Sequence, residues 1–461
     1  MSDQAILKSI TEGNNLKGYQ KEIQDFLTHT QKTIVILDDD PTGTQTVKNL
    51  PVVTQWTETV IETELLKSPI FFILTNSRSL QSTAAADLAL LLGERLKKLA
   101  SKHKKQLLVI SRGDSTLRGH YPGEVAALTK GLGQPSAKHV LIPAFFEGGR
   151  YTYEDVHYVK ETKGFVPAGE TSFAKDSTFG YTQSNLKKYI LEKYQNKIQE
   201  TQIQTISLDD LRNTSVANIS NKVMQKTHSH MIVNATSHAD LEKFALAVLK
   251  SKTSLTYRTA ASFVNAIIGQ RPSPLLTKKE IIKHTKTEGA LVVIGSYVPK
   301  TTAQLNHLKE HYKAHYVELD VHGLLEDVTL ENTLRSISTE LDTNLIQGTN
   351  VVLSTSRELK KGSSKEESLA IVNLVSKALT TIVEHIRVQP RFILAKGGIT
   401  SSDIAVKSLK IKRAMVLGQV HKGVPVWQAD EQARFPSLPY IVFPGNVGDD
   451  NALSTVLKSM E

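Results

Sequence analysis

Leu107-Leu108-Val109-Ile110-Ser111-Arg112-Gly113-Asp114-Ser115-Thr116-Leu117-Arg118-Gly119 passes in a few residues from an apolar run to charge, hydroxyl and glycine. The apolar part reads as a buried strand. The polar part then lies beyond its carboxyl end, where open α/β sheets hold their ligands. The same change occurs upstream, where Thr33-Ile34-Val35-Ile36-Leu37 leads into Asp38-Asp39-Asp40-Pro41-Thr42-Gly43-Thr44. It occurs again where Ile73-Leu74 leads into Thr75-Asn76-Ser77-Arg78. One such turn is an ordinary polar loop, whereas three in one half of a chain point to a binding site.

Working outward, strand-like and helix-like periodicities alternate. Pro69–Leu74 reads as a strand, Ala84–Leu99 as a helix, Glu124–Leu132 as a short helix and His139–Pro143 as a strand. After Ser184–Lys197 (helical) come strands at Gln204–Leu208 and Met231–Ala235, and a helix at Leu241–Leu249. A second series begins with Ala290–Ile294 and continues with strands at Tyr316–Leu319, Asn350–Leu353, Arg391–Leu394, Ala414–Leu417 and Tyr440–Phe443. Helices at Thr302–Tyr312 and Glu366–Ile386 lie between them. This pattern predicts an α/β protein of two domains, each a mainly parallel sheet flanked by helices. The predicted boundaries are 1–31 for an amino-terminal helical extension, 32–270 for the first domain, 271–288 for a linker carrying Pro272 and Pro274, and 289–461 for the second domain. The stretch from Phe145 to Tyr181 is rich in Gly, Tyr, Thr and Phe and has no helical period. It reads as a long excursion, a small antiparallel piece or a lid, and such insertions are usually functional.

With 461 residues, two or three domains are expected. The chain contains no cysteine, so disulfides, thiolate metal sites and cysteine nucleophiles are excluded. That composition suits a cytoplasmic protein. Residues 1–30 are polar and helix-like, without a signal peptide's apolar core, and no apolar run approaches the roughly 18 to 20 residues of a membrane span. The net charge is +10, but the lysines are scattered over helical surfaces and no nucleic-acid-binding motif appears. A positive field suits anionic small molecules.

In the second half, Ile294-Gly295-Ser296, Lys396-Gly397-Gly398-Ile399-Thr400 and Phe443-Pro444-Gly445-Asn446-Val447-Gly448 each follow a strand. Glycine lets backbone N–H groups approach phosphate oxygens, and Thr400 adds a hydroxyl. Neither a Walker sequence nor a Gly-x-Gly-x-x-Gly fingerprint is present. Lys396 reads either as a phosphate contact or as a side chain snorkelling at a strand end. In the first half, Asp38, Asp39 and Asp40 would raise one another's pKa unless arginines compensate, and Arg78, Arg112 and Arg118 are the available partners. Arginine also captures a substrate carboxylate, and an aspartate can take a hydroxyl proton as that oxygen attacks a phosphoryl group. His120 and His157 read as side chains able to reach this site, whereas His228 and His230 read as polar surface.

Asp39-Asp40-Pro41-Thr42-Gly43, Ser77-Arg78 and Asp114-Ser115-Thr116-Leu117-Arg118-Gly119 resemble the motifs of the four-carbon acid sugar kinases, as do Gly397-Gly398-Ile399-Thr400 and Gly445-Asn446-Val447-Gly448. Order, spacing and length agree over nearly the whole chain. The resemblance implies an ATP-dependent, Mg²⁺-assisted kinase acting on a threonate-, erythronate- or 3-oxo-tetronate-like acid, with the acid on the first domain, ATP on the second and the active site in the interdomain cleft. Asp39, Asp40, Asp114 and Arg118 would be catalytic, with the choice of base among the aspartates open. Thr42, Gly43, Ser77, Arg78, Arg112, Ser115 and Thr116 would bind the acid. Ser296, Gly397, Gly398, Ile399, Thr400, Gly445, Asn446 and Gly448 would bind ATP. A homodimer is an expectation carried by the resemblance alone, and no metal ligands are assigned. Departures from the family pattern are Asp38, Arg112, Phe443-Pro444 and the length of the excursion. The rival readings are a metal-dependent sugar-acid isomerase or aldolase without nucleotide, and a non-catalytic ligand-binding or effector protein on the same fold.

Overall fold

The computed structural model describes residues 3–283, 288–326, 330–357 and 365–461. Part of the expected linker, residues 284–287, lies outside them. The chain divides into two compact units, one of Met1–Thr46 with Trp56–Pro272 and one of Val47–Gln55 with Ser273–Glu461.

The sheet of the first unit runs in the order Ile70–Leu74, Thr33–Asp38, Leu107–Arg112, Leu255–Thr259, Lys138–Ile142, His230–Val233, Ile203–Ile206. Every neighbouring pair is parallel. Helices such as Ser82–Lys102 and His238–Lys250 follow the strands, as parallel crossovers require. Thr33–Asp38 is buried along its whole length, which is why it reads as an unbroken apolar run rather than an alternating one. From this strand the chain crosses first to Ile70–Leu74 on one side and then to Leu107–Arg112 on the other. Their carboxyl ends therefore form a topological switch point, where the crevice of an open sheet lies. The loops carrying Asp39–Thr44 and Gly113–Gly119 leave the sheet at that point.

The amino-terminal helices Asp3–Asn14 and Gln20–Thr30 pack against helix His238–Lys250 within this unit. Ser9 Oγ lies 3.0 Å from Thr236 Oγ1 and the Tyr19 N–H donates to Glu242. The 145–181 excursion contains a three-stranded antiparallel sheet, Arg150–Tyr153, Val156–Glu161 and Gly164–Pro167. Residues 204–208 divide differently from expectation. The strand is Ile203–Ile206, and Ser207 caps a helix over Leu208–Asn213 by accepting from the Asp210 N–H. His230 is not polar surface. It is 5% exposed in its strand, with its ring centroid 5.2 Å from that of His139.

The second unit has a parallel part in the order His315–Leu319, Val351–Thr355, Leu291–Ile294, Ile393–Lys396, Pro439–Phe443. Three antiparallel strands extend it: Val424–Ala429, Arg413–His421 and Leu50–Val53. The last comes from a segment within the span assigned to the first domain from sequence. The switch point here lies between Leu291–Ile294 and Ile393–Lys396. Its core gathers Val292, Ile294, Leu305, Leu394, Ile441 and Phe443.

Candidate active site

Three carboxylates and three arginines interlock at the switch point of the first unit. Asp39, 3% exposed, is held by Arg78 at 2.5 Å and by Arg258 at 3.1 Å. Burial pushes its carboxyl upward, but the two guanidiniums outweigh burial and hold it below the usual range. Arg78 also reaches Asp40 at 3.3 Å and Asp114 at 3.9 Å, so one side chain ties the first polar loop to the second. Asp40 caps the short turn Pro41–Thr44, accepting from the Thr42 N–H at 2.8 Å and from the Thr42 hydroxyl at 2.5 Å. Asp114 Oδ2 accepts from the N–H and hydroxyl of Thr116 and from Arg118 Nε at 3.0 Å. Burial opposes ionisation here too, but Arg78 and Arg118 keep Asp114 far below the usual carboxylate range. Its Oδ1 is held loosely, with Arg118 at 3.4 Å and Arg78 at 3.9 Å.

Asp38 is different. Its only ion-pair partner among the described residues is Arg112, 3.2 Å away on the neighbouring strand and in direct register with it. Asp38 Oδ2 and Arg112 Nε are buried without hydrogen-bond partners. Burial, helped by the charges of Asp39 and Asp40, pushes the Asp38 carboxyl up to about 7 despite Arg112. Gly43 lies against this carboxylate, in the space a Cβ would occupy.

Arg258 holds the two polar loops together from behind. Its Nη2 donates to Asp39 and to the Arg118 carbonyl, and its Nη1 to Ser111 Oγ and Glu124. Gly113 is required at this point, because a Cβ there would fall on the Arg258 guanidinium. Ser77 is 1% exposed and donates to Glu124 at 2.5 Å, so its hydroxyl is already engaged. The Gly113–Gly119 loop is pinned by the excursion and the helix after it. The Ser115 carbonyl accepts from His157 Nε2 at 2.8 Å, that of Thr116 from the Tyr181 hydroxyl at 2.8 Å, and that of Leu117 from the Tyr189 hydroxyl at 2.7 Å. Thr152 lies 3.0 Å from His157 Nδ1, and burial lowers this histidine to about 4, so it is a neutral support for the loop. His120 Nε2 lies 3.1 Å from the Ser77 carbonyl, on the backbone of the site rather than on its carboxylates.

In the second unit the strand ends converge on Ser296. A Cβ on Gly397 would lie 3.0 Å from Ser296 Cβ, and one on Gly445 would lie 2.9 Å from Ser296 Oγ. Thr301 Oγ1 donates to Ser296 Oγ and to the Gly445 carbonyl, each at 3.1 Å. Gly398 and Thr400 open the helix Gly398–Asp403, with Ile399 47% exposed. Asn446 is exposed, and the Gly448 carbonyl accepts from Lys300 at 3.1 Å. Lys396 does not snorkel. It is 0% exposed, lies 4.0 Å from the Phe443 ring centroid and donates to the Pro444 carbonyl. Burial, aided by the charge of Lys300, lowers it to about 7. Arg357 anchors the Ser296 carbonyl at 2.8 Å. Glycine backbone, hydroxyls and these cations are what a polyphosphate needs. No group of three or more His, Asp or Glu side chains able to hold a metal gathers among the described residues.

Residues 34–267 match a family model described as a sugar-binding N-terminal domain, and residues 291–453 one described as a nucleotide-binding C-terminal domain. The chain belongs to the four-carbon acid sugar kinase family. It is 23% identical to a D-erythronate kinase of Heliobacterium modesticaldum over 331 residues, covering 71% of this chain and 68% of that one. Its fold is that of the Haemophilus influenzae protein HI1011 (TM-score 0.65, 17% identity, covering 93% and 100% of the two chains). It is also that of a putative tRNA synthase of Salmonella typhimurium LT2 (TM-score 0.67, 16% identity, 93% and 99%).

Within this kinase family framework, reading the sequence missed Arg258 and Glu124. Both sit where their chemistry is hidden: Arg258 in a strand with few apolar residues, Glu124 in the first turn of helix Gly123–Gly131. The available signal was the pair Gly113 and Gly119, which flank a space only a foreign side chain can fill. No helix among the described residues is long and apolar enough to cross a membrane.

Proposed function

We propose that this protein transfers the terminal phosphoryl group of ATP to a hydroxyl of a four-carbon sugar acid, of the tetronate or 3-oxo-tetronate class. The observation that carries the reading is the Asp39–Arg78–Asp114 lattice at the switch point of the first unit. It is a rigid, charge-compensated frame whose least engaged acceptor is Asp114 Oδ1. Asp114 would orient the attacking hydroxyl and receive its proton as the oxygen–phosphorus bond forms. A strongly depressed pKa fits an orienting carboxylate, because phosphoryl transfer relies on positioning and charge stabilisation more than on a strong base. Asp39, clamped by two arginines, would position Arg78, and Asp40 would shape the turn that borders the acid.

The cradle around Ser296 supports nucleotide binding, since Gly397 and Gly445, which a Cβ would press against Ser296, bring bare backbone N–H groups beside the hydroxyls of Ser296 and Thr400. Ser296, Thr400 and the N–H groups of Gly397 and Gly445 would hold the phosphates, with Asn446 and Ile399 at the rim. Mg²⁺ would arrive on the phosphates, which usually supply most of its ligands besides water. The D-erythronate kinase relative favours erythronate as the first acid to test.

The test is coupled ADP release over a panel of four-carbon acids and their 3-oxo forms, with Asp114→Asn as control. The expected result is turnover on one of these acids and a loss of about 100-fold or more in kcat for the variant, the scale of a positioned proton acceptor. No ADP release across the panel overturns the kinase reading. Full activity in Asp114→Asn removes Asp114 from the mechanism.

A further inference from the structure

We propose that Arg150 is the receptor for the carboxylate of the sugar acid. The proposal rests on the sugar-acid reading above. It comes from matching each guanidinium of the site to its partners. Arg78 is engaged by Asp39, Asp40 and Asp114, Arg112 by Asp38, Arg118 by Asp114 and Asp176, and Arg258 by Asp39 and Glu124. Arg150 has no carboxylate within ion-pair distance among the described residues. Among the described residues its guanidinium makes one hydrogen bond, from Nη1 back to the Gly148 carbonyl, and its Nε is buried without a partner.

This cation nevertheless stands in the site. Arg118 and Arg150 both lie over the Phe173 ring, at 5.2 Å and 5.7 Å from its centroid. Arg118 is in turn bound to Asp114. The groups that act on Arg150 electrostatically are, in order of effect, Asp114, Arg118 and Glu161. Burial pulls its guanidinium below the ordinary arginine value, the mark of a charge that lacks compensation. A partly desolvated charge is costly unless paired. A planar, bidentate donor that shares the Phe173 ring with the arginine of the Asp114 pair is matched by a carboxylate. The assignment also gives the 145–181 excursion a role: its first strand, Arg150–Tyr153, delivers Arg150 and its later turn delivers Phe173.

The experiment measures calorimetric binding of D-erythronate and of its neutral amide, without nucleotide, to the wild-type chain, Arg150→Gln and Arg150→Lys. The wild type should prefer the acid. Arg150→Gln should bind the acid about 10- to 100-fold more weakly while its affinity for the amide changes by less than about threefold. Arg150→Lys, which keeps the charge and loses the fork, should fall between them. It carries the test if Arg150→Gln fails to fold, as judged by circular dichroism. An unchanged acid-to-amide ratio, or an equal loss on both ligands, overturns the assignment. So does a variant that loses affinity for inorganic phosphate and not for erythronate, since the cation would then serve the transferred group. ADP release on the same proteins separates the two readings. Arg150-dependent acid binding without ADP release overturns the kinase and leaves the receptor. ADP release with the ratio untouched does the reverse, and a wild type that binds neither ligand overturns both.

Discussion

The candidate sites of the two units solve opposite problems. In the first, charge is dense and almost every ion has a partner: Arg78 alone touches three aspartates, and Arg258 joins Asp39 to Glu124. In the second, formal charge is sparse and the surface is made of glycine backbone, Ser296, Thr301 and Thr400, with Lys396 and Arg357 behind. A frame of paired ions is part of the core, so damaging it costs stability together with chemistry. A glycine cradle is built of what is absent, so filling it should cost ligand affinity while the fold stands.

The sharpest way to break this contrast is Asp39→Ala. It leaves Arg258, 6% exposed, with Glu124 as its one carboxylate among the described residues, and removes the main partner of Arg78. Breaking a buried ion pair by deleting one member costs about 3–5 kcal/mol, because the remaining charge stays desolvated. Denaturant unfolding of the full chain should show a loss of that size, and ADP release should vanish with it. A variant as stable as wild type would mean that the lattice is a solvated cluster and that the first site is no part of the core. A matched pair of glycine substitutions sharpens the same point at smaller scale. Gly113→Ala drives a methyl into the pinned Arg258 guanidinium and should cost about 1–3 kcal/mol of stability. Gly445→Ala puts a methyl 2.9 Å from Ser296 Oγ, which must turn aside; unfolding should change by less than in Gly113→Ala, while nucleotide binding weakens, read as a lost rise in Tm with ATP. If both variants lose stability alike, the distinction between a paired frame and an open cradle fails.

The contrast also explains what was legible beforehand. Buried parallel strands are continuous apolar runs, so Thr33–Leu37, Leu107–Ile110 and Ala290–Ile294 stand out, and the polar loops after them identify themselves. Which ions pair was not legible, because it depends on register. Asp38 faces Arg112 only because Thr33–Asp38 and Leu107–Arg112 align residue for residue. Arg258 sits in Leu255-Thr256-Tyr257-Arg258-Thr259, too polar to read as a central strand, and its burial is decided by glycines in a distant loop. Leu50-Pro51-Val52-Val53 hid for another reason. A proline argues against a strand, and nothing local says that the segment pairs with Arg413–Val416. The hairpin joining Arg413–His421 to Val424–Ala429 turns on Lys422-Gly423, and its second strand went unread because Pro425 interrupts the alternation.

The smallest effect is the most specific to the second unit. Lys396 is buried beside Phe443 and titrates near 7, against about 10.5 for a free lysine. Between those two values the unfolded chain holds one proton more than the folded chain at this position. Stability from this group therefore rises with pH across the window, and its burial penalty is full below about 7. Bound phosphate reverses the balance, since an anion near the ammonium favours its charged form and so raises its pKa. At pH 8, nucleotide binding should then take up about one proton, seen as a dependence of the calorimetric heat on the ionisation enthalpy of the buffer. Lys396→Met should abolish that uptake and flatten the pH dependence of Tm above 7, while leaving erythronate binding by the first unit unchanged. Proton uptake that persists in Lys396→Met assigns the titration to another group. Wild-type binding with no proton uptake at all would mean that Lys396 keeps its back to the phosphates, and the second site would have to bind its nucleotide on glycine and hydroxyls alone.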